Sequence, residues 1–217
     1  MAKSADKKAR LSDAEKLKVL KKKLKKLKAS VRDAASGAEA VVPASVKPKN
    51  AISPLAPAGF PALPVIEGAE FAAGAAGIKY QGRTDVMLVR LAPGTAIAGA
   101  FTRSSTRAAC VLDCQAKLDG KPDASAGAAI IVNSGNANAF TGKGGQEAVD
   151  SVTGGVAKAL GLPRERVFSS STGVIGEPLP DHKITAALPT LRMALKAEAW
   201  AEAAAAIMTT DTFPKAA

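Results

Sequence analysis

The chain has 217 residues, 47% hydrophobic and 4% aromatic, with 30 Lys and Arg against 19 Asp and Glu for a formal charge of +11. That length suits one large domain or two small ones, with a core built mainly from Ala, Val, Ile and Leu. No apolar run approaches the ~20 residues of a membrane span, so no membrane-spanning helix is expected.

The charge is unevenly placed. Residues 1–50 hold 15 basic and 5 acidic residues, +10, whereas residues 51–217 hold 15 and 14, +1. The basic character belongs to the N-terminal tail and argues little for nucleic-acid binding by the main domain.

Residues 1–34 form the first unit. Ser12 and Glu15 have capping-box spacing, and Leu17, Leu20, Leu24, Leu27 and Val31 follow at intervals of three and four. That predicts one narrow apolar stripe on a lysine-rich helix. A short coiled coil, a binder of anionic surfaces and a solubilising arm all fit it. The tail is Lys-rich and carries Asp6, Asp13 and Glu15, which is unlike a transit peptide. Residues 35–64 contain six prolines among Ala and Ser and read as a linker. The third unit, residues 65–217, is the globular part, and its order begins near Ile66.

Short strands are predicted at 87–93 (MLVRLAP), 95–102 (TAIAGAFT) and 108–113 (AACVLD), separated by turn residues. AGAAIIVN at 126–133 reads as a buried strand ending in a Gly/Asn turn. Gly145–Leu160 reads as a helix with Ala148, Val149, Val152, Val156 and Leu160 on one side. RVFSSS at 166–171 is another strand. Two helical stretches follow, 184–195 and 196–210, with Pro189 marking a break or a helix start. A strand group followed by helices, with one helix between strands, predicts an α+β fold or a layered αβ sandwich.

Several stretches carry candidate chemistry. NSGNANAFTGKGG at 133–145 is glycine-rich and followed by lysine, yet it fails as a phosphate loop. Six residues separate Gly135 from Gly142 where four are needed, and Gly144 replaces the metal-binding hydroxyl. Asn133, Asn136 and Asn138 can bridge neighbouring loops or bind a polar ligand. The one histidine, His182, lies just before a helix, and no G-x-S-x-G occurs, so a Ser-His-Asp triad is unsupported. Cys110 and Cys114 form a lone C-x-x-x-C pair, a poor zinc set. Buried thiols are the simpler reading, and no metal or cofactor is expected. Glu177, between Gly176 and Pro178, reads as a turn residue. TTDT at 209–212 gathers three hydroxyls and a carboxylate after a helix, suited either to capping or to a polar substrate. Thr172-Gly173 closes a predicted strand. A hydroxyl beside an N–H without a neighbouring Cβ is an adequate donor pair for an oxyanion, though a common one.

Taken together, NSGNANAFTG at 133–142, SSTGVIGEPLP at 170–180 and MTTDTFPK at 208–215 resemble the bacterial ornithine acetyltransferase family, also called glutamate N-acetyltransferases of arginine biosynthesis. GIKYQGRTDVMLV at 77–89 and GAFTRSSTRAACV at 99–111 match as well. The resemblance covers roughly residues 50–217 and corresponds to the family's alpha chain.

The resemblance implies a cytoplasmic enzyme with an N-terminal-nucleophile-like sandwich. It is cut by itself between alanine and threonine into alpha and beta chains, assembled as two of each. The beta chain's first threonine, activated by its own amine, would carry acetyl from N-acetylornithine to glutamate by ping-pong transfer. Many members also use acetyl-CoA as donor. Thr172 and Gly173 match the oxyanion hole, and Thr209 a substrate-binding position. The self-cleavage motif is absent from this sequence. The expectation is therefore a truncated alpha portion, inactive alone, with unpaired sheet edges. Two rival readings are a non-enzymatic protein acting through its basic tail on nucleic acid or an anionic surface, and an aminopeptidase-like hydrolase.

Overall fold

The computed structural model describes residues Lys21–Lys23, Lys25 and 52–217. The chain divides into two units, Met1–Lys49 and Asn50–Ala217. In the first, the four described lysines are helical and exposed. The capping box of Ser12 and Glu15 and the stripe from Leu17 to Val31 lie outside the described residues, as does the linker up to residue 51.

The second unit is built on one four-stranded sheet. Its strands are β1 (Ala69–Gly74), β2 (Val86–Leu91), β3 (Ala128–Asn136) and β4 (Val167–Val174), in spatial order 1-2-3-4. The first two pairings are antiparallel, and β3 pairs with β4 in parallel. A parallel pair needs a long crossover, and the helix Gly142–Leu160 supplies it. Four helices are named here in chain order: α1 (Ala109–Asp119), α2 (Gly142–Leu160), α3 (Asp181–Met193) and α4 (Trp200–Ala206).

The two faces of the sheet bury different residues. Ala72, Val86, Leu88, Ala129, Ile131 and Val167 pack against Val152 and Val156 of α2 and Ile184, Leu188 and Leu191 of α3. The opposite face sets Ala69, Phe71 and Val89 against Ala199 and Ala203, with Trp200 of α4 stacked 4.0 Å from Phe71. Because β3 is covered on both sides, its sequence reads as the continuous apolar run AAIIV rather than as an alternation. The result is the α+β layering expected from the element order.

Three local expectations are corrected, and one strand, β1, was not read from the sequence. AACVLD is not a strand but the first half of α1, where Cys110, Asp113, Cys114 and Lys117 recur at helical spacing and face inward. TAIAGAFT alternates but forms no strand, and among the described residues no strand pairs with it. AEFAAG forms β1 despite its weak strand propensity, because β2 pairs with it along its whole length. Pro189 neither breaks nor starts a helix. It lies inside α3, where burial of Ile184, Leu188 and Leu191 offsets the ~3 kcal/mol cost of an interior proline.

Candidate active site

The stretch SSSTG runs out along β4 beside β3, with Ser171 opposite Asn133, Ser134 opposite Thr172 and Gly135 opposite Gly173. Directly paired residues share a face, so Thr172 lies on the side of Ser134, the side covered by α4. Just beyond, the register slips, and Asn136 faces both Thr172 and Val174. Such a bulge bends a strand and re-aims its side chains. Gly173 has φ of +134°, and a Cβ built on it would sit 2.4 Å from the Gly135 carbonyl carbon and 2.6 Å from the Asn136 nitrogen. Only glycine fits against that peptide. Thr172 is half-buried and Gly173 exposed, so the pair is open to a ligand.

The asparagines of NSGNAN bridge loops around this strand end. Asn133, Asn136 and Asn138 are all buried. Asn133 accepts the Ser171 hydroxyl at 2.7 Å and donates to the Asn136 carbonyl at 2.9 Å. Asn136 donates its amide to the carbonyls of Glu177 and Pro178 at 3.1 and 3.2 Å, and accepts the Asn138 N–H at 2.8 Å. Asn138, with φ of +46°, donates to the Gly145 carbonyl and accepts the Thr141 hydroxyl. Every polar end of the three side chains is thus used within the protein.

A third segment, residues 75–85, lies beside the strand ends. Buried Asp85 accepts the N–H groups of Ala76 and Ile78 at 2.7 and 2.6 Å and fixes its bend. The segment presents Lys79, whose stem lies beside Gly135 and whose ammonium forms a two-pronged ion pair with Glu177 at 2.7 and 2.8 Å. Both side chains are partly exposed, so the pair itself stabilises by only ~0–1 kcal/mol. Arg83 of the same segment donates to the Met208 carbonyl, and Ser134 donates to the Ala206 carbonyl at 2.7 Å. Those two contacts anchor the end of α4, and with it Thr209, to the segment and to the residue opposite Thr172. The Thr209 N–H donates to Asp211 at 3.3 Å. A hydrogen bond from Lys215, followed by the one from Thr209, holds the Asp211 carboxyl below its ordinary range.

Sequence reasoning named Thr172, Gly173 and Thr209 but gave Lys79, Arg83 and Asp85 no role. The signal available was the pair of glycines in GIKYQGRTD, both with positive φ, marking a shaped loop. His182 is exposed in the first turn of α3 and belongs to neither the asparagine set nor the β4 end. Among the described residues no group of three His, Cys, Asp or Glu side chains is placed to hold a metal. Cys110 and Cys114 are free, buried thiols, and the Cys114 thiol donates to the Ser169 carbonyl at 3.3 Å. Burial pushes both thiols up from their ordinary value, against weaker opposing hydrogen bonds from β4. A raised pKa leaves less thiolate at pH 8. Iodoacetamide should therefore label native protein much more slowly than urea-unfolded protein, as followed by intact mass.

Comparison with known proteins places these features in one family. The ArgJ family model matches residues 70–217. The arginine biosynthesis bifunctional protein ArgJ of Ruegeria pomeroyi is 61% identical over 166 residues, covering 76% of this chain and 40% of that relative. Its counterpart from Nitrobacter winogradskyi is 53% identical over 168 residues, covering 77% of this chain and 40% of the relative. Among solved structures, ornithine acetyltransferase of Mycobacterium tuberculosis, complexed with ornithine, superposes with a TM-score of 0.62 at 38% identity. That match covers 67% of this chain and 77% of the other. The bifunctional protein argJ of Bacillus halodurans gives 0.59 at 29% identity, covering 67% and 74%. The chain spans about 40% of the length of the curated relatives it matches. With the family's match running unbroken from β1 to residue 217, the chain belongs to the ArgJ family.

Proposed function

We propose that this chain is the alpha part of a cytoplasmic acetyltransferase of arginine biosynthesis, moving acetyl from N-acetylornithine, or from acetyl-CoA, to glutamate. The observation that carries the reading is the strand end at Thr172-Gly173. It offers an open hydroxyl and an N–H flanked by no Cβ, fixed against a second strand. In the proposed reaction a nucleophilic threonine hydroxyl from a beta-chain partner attacks the acetyl carbonyl. The carbonyl oxygen takes up the electron pair as an oxyanion, which accepts hydrogen bonds from the Thr172 hydroxyl and the Gly173 N–H. The partner's terminal amine takes the threonine hydroxyl's proton during attack and returns it to the ornithine nitrogen as collapse breaks the carbon–nitrogen bond, so ornithine leaves as the amine. Glutamate's amine then attacks the acetyl-threonine ester through the same two donors, and the threonine hydroxyl is restored.

Thr209 serves the amino-acid part of the substrate, on the segment that Arg83 and Ser134 hold beside the strand ends. No metal or cofactor takes part in this scheme. Ile175, two residues beyond Gly173 and 62% exposed, suits coverage by the partner. Two alpha and two beta chains form the proposed assembly. The experiment is an assay of acetyl transfer from N-acetylornithine to glutamate. The purified chain alone should match the blank, and the chain assembled with its partner should turn over. Turnover by the chain alone would overturn the division of labour.

A further inference from the structure

We infer that Asn136, acting with Asn133, is a positioning residue that sets the aim of Thr172 and Gly173. The inference rests on the oxyanion-hole reading of that pair. The segment carrying the pair runs from Ser171 to Pro178 and leaves the sheet after Val174. It is clamped at both ends by these two side chains. At one end, Ser171 donates to Asn133. At the other, the Asn136 amide donates to the carbonyls of Glu177 and Pro178. The clamps are joined, because Asn133 also donates to the Asn136 carbonyl. Between them the Gly135–Asn136 peptide presses on Gly173, closer than any Cβ would allow. The position of one peptide therefore decides where the Gly173 N–H points, and the Asn136 side chain decides the position of that peptide.

Two features separate this role from ordinary loop filling. Asn136 is 3% exposed, yet its donors go only to the segment downstream of the pair. The main-chain bonds that parallel the clamp, Ala137 N–H to the Val174 carbonyl and Gly176 N–H to the Ala139 carbonyl, begin beyond Gly173. The pair itself is held by its pairing with β3, which ends at Val174, so beyond that point the Asn136 amide joins these bonds in setting the course of the segment. An oxyanion donor works only when aimed at where charge develops, so a small shift costs rate before it costs binding.

The test uses Asn136→Asp, which keeps the shape but turns the donor into an acceptor facing two carbonyls. In the chain itself, ¹⁵N-resolved amide spectra should show the Thr172, Gly173 and Val174 resonances moved and those of β1 and β2 unmoved. Unmoved Thr172 and Gly173 amides would overturn the inference. In the assembled enzyme, kcat should fall by about 10- to 100-fold, a fraction of the effect of deleting a donor, with KM for N-acetylornithine within about twofold. The double variant Asn136→Asp/Thr172→Ala should be about as slow as Thr172→Ala alone, because both act through one hole. Multiplying losses would show that Asn136 acts elsewhere and would sink the idea. If Thr172→Ala alone keeps full kcat, the oxyanion reading fails, while the amide spectra still judge the clamp. Should Asn136→Asp not fold, Ser171→Ala loosens the other end more gently. It should move the same amides and lower kcat by a smaller factor, and wild-type spectra with wild-type kcat in that variant would overturn the inference.

Discussion

Thr172→Ala, assembled with the beta-chain partner, should lower kcat by roughly 10²–10³-fold while KM for N-acetylornithine changes little, the scale for losing one oxyanion donor. The reasoning is differential. The hydroxyl meets a carbonyl oxygen weakly in the ground state and an oxyanion strongly in the transition state, so its loss appears in kcat. The substitution removes a half-buried side chain at a strand end, outside both packed cores. The melting temperature should therefore stay close to wild type. Steady-state kinetics alongside a thermal melt checks both halves. An unchanged kcat would remove Thr172 from the mechanism.

Gly173→Ala should lose both stability and activity. At φ of +134° a Cβ is strained wherever it sits, at a cost of about 1–3 kcal/mol. Here it would also meet backbone atoms at 2.4 and 2.6 Å, which cannot swing aside as a flexible side chain can. The strand end must part from β3, taking the proposed oxyanion donor with it. A drop in Tm of roughly 2–4 °C per kcal/mol is expected for a chain of this size, with kcat falling at least as far as in Thr172→Ala. Gly154→Ala is the control. That residue lies inside α2 with no neighbour within 4 Å of the added methyl, so the change should stabilise by about 0.5–1 kcal/mol. A Gly173→Ala protein as stable as wild type would show that the β3–β4 contact is looser than described.

Much of this site was legible in order along the chain, because its residues lie in three compact motifs. SSSTG read correctly as a strand end, and β3 as a buried strand ending in a polar turn. What a single sequence could not give was which loop meets which. Asn133 and Asn136 looked better suited to bridging than to ligand binding, but the sequence did not name the loops they bridge. Their partners, Ser171 and the carbonyls of Glu177 and Pro178, lie about forty residues on, across a parallel pairing. Glu177 looked like a turn residue for the same reason, since Lys79 lies 98 positions upstream. The misreading of AACVLD has a different cause. Six residues rich in small apolar side chains fit a short strand or half of an amphipathic helix equally well. The choice is made by Lys117, whose ammonium reaches both Asp113 and the Val167 carbonyl from one side of α1.

The central claim is that this chain supplies the oxyanion hole while its partner supplies the nucleophile. The most direct measurement is to mix the assembled enzyme with N-acetylornithine, quench before glutamate is added, and weigh each chain by intact mass spectrometry. The account predicts one acetyl group on the partner and none on this chain. In enzyme carrying Thr172→Ala, that adduct should form far more slowly. An acetyl group found on this chain in the wild-type enzyme would contradict it.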